Sequence, residues 1–126
     1  MKLIIPELLY TGGEFKKEYA VMIEGTKIKK IGPAAELKKE AGETEFLELP
    51  HQVLVPGTVN AHNHCFQSLL RGIAADRPFL EWRDRSLYHY SPLMTLEDIY
   101  NGALFAFGEM MKRGVTCVGD FFYLHN

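Results

Sequence analysis

Between Thr58 and Phe121 the hydrophobic pattern changes period twice, and this constrains the fold more than any other feature of the chain. Thr58 to His64 reads as a strand, with residues of even number on one face (Thr58, Asn60, His62, His64) and Val59, Ala61 and Asn63 on the other. Thr95 to Arg113 reads as a helix, because Leu96, Ile99, Tyr100, Ala103, Leu104, Phe107, Met110 and Met111 recur at intervals of three and four as one apolar stripe. Thr95 is its N-cap, Asp98 takes the capping-box position, Met94 is placed to staple onto Ile99, and Gly114 closes the helix. Val115 to Phe121 is a second buried strand. A strand, a helical crossover and a strand make a βαβ unit, and its two strands must lie parallel because the crossover returns the chain to its starting end.

The first third has a different texture. Short apolar runs, Leu3 to Tyr10, Tyr19 to Ile23 and Lys27 to Ile31, are separated by Thr11-Gly12-Gly13 and Glu24-Gly25. Glu24-Gly25-Thr26 predicts a hairpin, and the broken alternation of Lys27 to Ile31 predicts a bulged or edge strand. Pro33 to Ala41 is a short helix opened by proline and stopped by Gly42, and Glu43 to Leu49 returns to strand. The expected division is a β-rich module over residues 1–55 and a βαβ portion over 56–126.

With 47% hydrophobic residues over 126 positions, the chain can bury one ordinary core. A formal net charge of −2 argues against nucleic acid or an anionic membrane as partner, since such binders concentrate basic charge on one face. The lysine pairs Lys16-Lys17, Lys29-Lys30 and Lys38-Lys39 are interleaved with acids and read as solvated faces. Pro6 and Glu7 end the apolar start too early for a signal peptide, and no run approaches membrane-spanning length. Cys65 and Cys117 form no CxxC pair and no disulfide framework, which fits the cytoplasm and suggests two small core fillers.

The segment Pro56-Gly57-Thr58-Val59-Asn60-Ala61-His62-Asn63-His64 carries the chemistry. Side chains two apart on a strand point the same way with backbones about 6.6–7 Å apart. From that spacing two imidazoles can lean together onto one ion at about 2.0–2.1 Å. Neutral imidazole suits zinc, iron or nickel, whereas a calcium or magnesium site is built from oxygens. His62 and His64 stand at the carboxyl end of a strand before a loop, where α/β folds build their sites. The patterns of the H-x-E/P-C-x-x-C zinc deaminases are absent.

With Leu54-Val55-Pro56-Gly57 leading into Asn60-Ala61-His62-Asn63-His64, the chain resembles the amidohydrolase superfamily, in which a small β-sandwich module precedes a (β/α)8 TIM barrel. The resemblance covers essentially the whole chain and implies an α/β fold: the N-terminal part of a metal-dependent hydrolase barrel. Phe66-Gln67-Ser68-Leu69-Leu70-Arg71-Gly72 and Arg113-Gly114-Val115-Thr116 look like its deaminase branch, which includes S-adenosylhomocysteine and cytosine deaminases. His64-Cys65-Phe66-Gln67, Phe79-Leu80-Glu81-Trp82-Arg83 and Phe121-Phe122-Tyr123-Leu124-His125-Asn126 look most like formimidoylglutamate deiminase, though the loop from Gly72 to Phe79 is shorter here.

The resemblance implies hydrolytic deamination, with a metal-activated water attacking an amidine or ring carbon and ammonia leaving. His62 and His64 would be metal ligands, zinc first and iron or nickel as alternatives, and Gln67, Arg83 and Tyr123 would hold a small-molecule substrate. Read from residue chemistry alone, Arg83 suits either a carboxylate clamp or a solvated helix arginine beside Glu81 and Asp84. Tyr123 suits either a substrate donor or a core residue. A chlorohydrolase of the same fold is an alternative. So is a non-catalytic metal-binding module using His62, His64 and His125 or Asp120.

The acid/base groups and remaining ligands are expected on later strands, because a full barrel takes about 250 residues. The rest of the barrel, from the same gene or a second chain, is therefore an expected partner. By itself the chain is expected to be inactive, and its bare strand edges should make it self-associate.

Overall fold

The long strand β1 (Lys2–Thr11) is the spine of the first of two units, Met1–Pro56, in a computed structural model that describes residues 1–124. The chain reverses at Gly12 and Gly13, both at positive φ, into β2 (Glu14–Lys17), which pairs antiparallel with the second half of β1. After Glu18, a non-glycine residue at φ 58°, β3 (Tyr19–Glu24) runs antiparallel along the first half. The Gly25 hairpin leads to β4 (Lys27–Pro33), an outer strand whose register against β3 slips between Met22 and Ile23, as its broken alternation suggests. Helix α1 (Ala34–Ala41) follows Pro33 directly and ends at Gly42, φ 59°. Leu3, Ala20, Met22, Leu37 and Ala41 form the core between sheet and helix. Burying a leucine such as Leu3 or Leu37 contributes about 1.5–3 kcal/mol.

One element is longer than its sequence suggests. β5 (Glu45–Leu54) pairs parallel with β1 as a single strand running through Pro50. The ladder is interrupted between Pro6 and Leu8, opposite His51 at φ 60°, whose backbone N–H donates to Glu7 Oε2 at 2.9 Å. Because the Glu7 side chain takes that donor, the two prolines are absorbed at a bulge and the strand continues. Lysine–glutamate pairs such as Lys2–Glu45 and Lys38–Glu48 are solvent-exposed, and each contributes at most about 1 kcal/mol.

The second unit begins at Gly57 and holds β6 (Thr58–Asn63), a 3₁₀ turn over Cys65–Leu70, an irregular helical run, helix α4 (Leu96–Lys112) and β7 (Val115–Asp120). The irregular run comprises α2 (Phe79–Trp82), a π-helical turn (Arg83–Leu87), α3 (Tyr88–Tyr90) and a 3₁₀ turn (Ser91–Leu93). β6 and β7 pair parallel, which completes the βαβ unit. Gly57 is required at its start: a Cβ there would run into the side chain of Thr116. Phe66, Leu70 and Leu87 form the core, with Trp82, Met94, Ile99 and Tyr123 packed against it. Among the described residues, no helix is long and apolar enough to cross a membrane.

Helix α4 has the expected N-terminus. Thr95 Oγ1 accepts from the Asp98 N–H at 3.1 Å, and Asp98 Oδ2 accepts from the Thr95 N–H at 2.8 Å. Its docking face keeps Ile99 and Met110 of the expected stripe but centres on smaller residues. The buried residues are Gly102 and Ala106, while Leu96, Tyr100, Leu104 and Met111 are 75%, 66%, 60% and 73% exposed. The small residues win because the turn after β6 must approach closely: a Cβ at Gly102 would lie 3.0 Å from Leu69 Cγ and 3.3 Å from the Phe66 carbonyl. Ser68 Oγ closes the contact by donating to the Gly102 carbonyl at 2.7 Å. Within this chain Cys65 is buried and Cys117, on β7, is exposed.

Candidate metal centre

The polar end of β6 does not keep strict alternation. Asn60 pairs with Val118 but Asn63 pairs with Asp120, so three steps on β6 match two on β7. The extra residue twists the strand. Asn60 therefore turns toward α4, its Nδ2 lying 3.3 Å from Met110 Sδ, while its Oδ1 accepts the His62 N–H at 3.2 Å. The expected common face of Thr58, Asn60, His62 and His64 survives in the two histidines.

These imidazoles converge. His62 Nε2 and His64 Nε2 are 3.1 Å apart, with the ring planes at 88°. Two nitrogens about 2.0–2.1 Å from one tetrahedral ion would stand about 3.3–3.4 Å apart, so a few tenths of an ångström separate the pair from a shared-cation geometry. The other nitrogen of His64, Nδ1, lies 2.8 Å from the Phe121 carbonyl oxygen. A carbonyl only accepts, so Nδ1 carries the proton and the Nε2 lone pair faces His62. Phe121 and Tyr123 stand edge-on to the His64 ring at 5.7 and 5.3 Å between centroids.

The pair opens onto a hollow of about 280 Å³ also lined by Asn63, Gln67, Ser68 and Arg71. Gln67 Nε2 donates to the Tyr123 hydroxyl at 2.6 Å, so two of the three expected substrate residues meet beside the histidines. Arg83 does not line the hollow. Its guanidinium donates to Asp84 Oδ1 through Nε and Nη2, both at 2.8 Å, and lies 4.8 Å from the Tyr88 ring centroid, the helix-arginine arrangement. Arg71, which was not anticipated, lines the hollow while paired with Glu109 and laid over Phe105. Its only sequence signal was membership of the Phe66–Gly72 segment.

Cys65 is buried and donates through Sγ to Asp120 Oδ2 at 3.2 Å. Burial, reinforced by the neighbouring Asp120 carboxylate, pushes its thiol up to about 11. Without a metal it is a protonated thiol at neutral pH, with its sulfur turned onto Asp120. Among the described residues, no third His, Cys, Asp or Glu joins His62 and His64 in a metal-holding group. His51 is paired with Glu7, His89 lies edge-on to Tyr90, and His125 is outside the described residues. A larger open hollow of about 670 Å³ in the first unit, lined by Ile5, Tyr19 and Pro33, has only exposed lysines and glutamates for charge and lacks such a donor pair.

Comparison with known proteins places the chain among relatives. The chain is 36% identical over 109 residues to a 5′-deoxyadenosine deaminase of Methanococcus vannielii, covering 85% of this chain and 25% of that protein. It is 38% identical over 106 residues to a 5-methylthioadenosine/S-adenosylhomocysteine deaminase of Syntrophomonas wolfei, covering 82% and 23%. The chain thus spans about a quarter of the length of these curated relatives. Among solved structures, the adenosine deaminase from Xanthomonas campestris with bound zinc superposes with a TM-score of 0.89 at 26% identity, over 98% of this chain and 29% of that one. The atrazine chlorohydrolase from Arthrobacter aurescens complexed with zinc shares the fold, with a TM-score of 0.81 at 21% identity over 95% and 28%. The fold is the α/β architecture of amidohydrolase barrels. The model described as "Amidohydrolase family" matches residues 53–126, more than half of the sequence, and this chain belongs to the amidohydrolase family.

Proposed function

We propose that this chain contributes His62 and His64 as two ligands of a single divalent metal, zinc, in a barrel enzyme that hydrolytically deaminates adenosine-type nucleosides. The observation that carries the reading is the convergence of the two Nε2 atoms to 3.1 Å, with the His64 proton held away on the Phe121 carbonyl. Zinc supplies Lewis-acid activation of water when bound. The remaining ligands and the proton-transferring groups come from further strands of the barrel.

The roles of this chain's residues follow from their surroundings. His62 and His64 present nitrogen lone pairs to the cation. Gln67 and Tyr123, hydrogen-bonded to each other beside the pair, orient polar groups of the substrate. Phe121 and Tyr123 wall the His64 ring and shield it from water on that side. The nucleoside class is favoured over formimidoylglutamate for two reasons. The curated relatives are deaminases of 5′-deoxyadenosine and of 5-methylthioadenosine/S-adenosylhomocysteine. In addition, Arg83, the candidate clamp for a substrate carboxylate, is already bonded to Asp84 through two nitrogens.

The test is ammonia release by the chain joined to the strands that complete its barrel. 5′-Deoxyadenosine, 5′-methylthioadenosine and S-adenosylhomocysteine would be compared with cytosine and formimidoylglutamate. Stoichiometric zinc and turnover of the nucleosides are expected, with both lost in His62→Ala and His64→Ala. Preference for formimidoylglutamate would overturn the substrate class, and full zinc content in both variants would overturn the ligand reading.

A further inference from the structure

His64 lies just beyond the last paired residue of β6, so the sheet ladder does not by itself hold the ring in place. What surrounds it is a grip by two consecutive residues at the end of the neighbouring strand. The Asp120 carboxylate accepts from Asn63 Nδ2 at 2.6 Å and from the Cys65 N–H at 2.9 Å through Oδ1, and from Cys65 Sγ at 3.2 Å through Oδ2. Phe121 donates its N–H to the Asn63 carbonyl at 2.7 Å and accepts from His64 Nδ1 at 2.8 Å. Asp120 thus ties the residues immediately before and after His64, and Phe121 ties the ring.

The bulge makes this grip necessary. Because β6 carries one residue more than β7 between the Asn60–Val118 and Asn63–Asp120 pairs, the backbone leading to His64 is out of step with the ladder. A carboxylate that accepts from a side-chain amide on one side and a backbone N–H on the other compensates for the missing regular pairing. Oδ1 takes both of these donors and Oδ2 takes the Cys65 thiol, so both oxygens are engaged and direct ligation is the lesser use of them.

We propose that Asp120 is a positioning residue for His64: by bridging Asn63 and Cys65 it holds the ring with Nδ1 on the Phe121 carbonyl and Nε2 directed at the cation shared with His62. This deepens the metal reading above and rests on it for the cation, but its effect on the ring can be measured without metal. The reading extends the centre beyond its ligands to a residue on the second strand.

The experiment is nitrogen-15 NMR of the imidazoles in the full chain, first metal-free and then titrated with zinc. In the unsubstituted chain His64 is expected in the Nδ1–H tautomer, and both rings shift on zinc addition. Asp120→Ala should release His64 to a mixture of tautomers and weaken zinc binding by about tenfold or more, whereas Asp120→Asn, whose amide oxygen still accepts both N–H groups, should stay within about twofold.

An Asp120→Ala protein with the original tautomer and affinity overturns the proposal, as does an Asp120→Asn protein as weak as the alanine variant. Should Asp120→Ala not fold, Asn63→Ala carries the test. It removes one tether, and unaltered His64 signals and zinc affinity would overturn the proposal equally. If zinc moves neither imidazole in the unsubstituted chain, the ligand reading fails, and the metal-free tautomers still decide what Asp120 does to His64.

Discussion

Tyr123 packs and hydrogen-bonds at once, and the proposed recognition role rests on both. Its ring lies edge-on to Phe66 at 5.1 Å, and its hydroxyl accepts from Gln67. Tyr123→Phe keeps the ring and leaves Gln67 without that acceptor, so urea denaturation should show a loss of about 1 kcal/mol. In the barrel-completed protein the same variant should raise KM for a nucleoside more than it lowers kcat. Gly57 is a purely steric case. Gly57→Ala drives a methyl group into Thr116, an overpacking cost of about 1–3 kcal/mol that Thr116→Ala should partly relieve in the double variant. An additive pair in denaturation curves would show that the two residues do not meet.

Helix α4 unites a signal written locally with a docking choice that is not. Its capping box is visible in Thr95 and Asp98 alone, because both partners lie within one turn. Thr95→Ala should destabilise the unit by about 1 kcal/mol in thermal or urea unfolding. The Thr95 hydroxyl and backbone N–H hold the Asp98 carboxyl below its ordinary 3.8. Because the folded value is the lower one, this contribution is fully present above about pH 4 and is lost as pH falls through the lowered value. The stability difference between Asp98 and Asp98→Asn chains should therefore shrink on acidification through that window. The docking face could not be read in the same way. Periodicity ranks side chains by hydrophobicity, and by that measure Leu96, Tyr100 and Leu104 outrank Gly102 and Ala106; only the close approach of the turn carrying Phe66 and Leu69 reverses the order.

The uncovered side of that helix bears on the behaviour of the chain by itself. Leu96, Tyr100, Leu104 and Met111 lie along α4, all more than half exposed, and Val59 on β6 is 67% exposed. Apolar area on this scale calls for cover. In sedimentation velocity the 126-residue chain should show concentration-dependent association, reduced by Leu104→Glu together with Met111→Glu. A monomer at all concentrations would contradict this.

The βαβ order, the cap of α4, the hairpin at Gly25 and the pairing of His62 with His64 were legible in the residues themselves, because each depends on periodicity or on partners a few positions apart. The amidohydrolase likeness was legible for the same reason, each segment that carries it being short. Tertiary structure alone decided the rest: that Asn60 leaves the histidine face, that Arg83 binds Asp84 rather than lining the hollow, that Gly102 and Ala106 make the contact, and that Asp120 reaches across to Asn63 and Cys65. Each of these turns on a bulge, a close approach or a hydrogen bond between residues dozens of positions apart, or on a choice between near neighbours that packing makes. One-dimensional spacing carries no record of those distances.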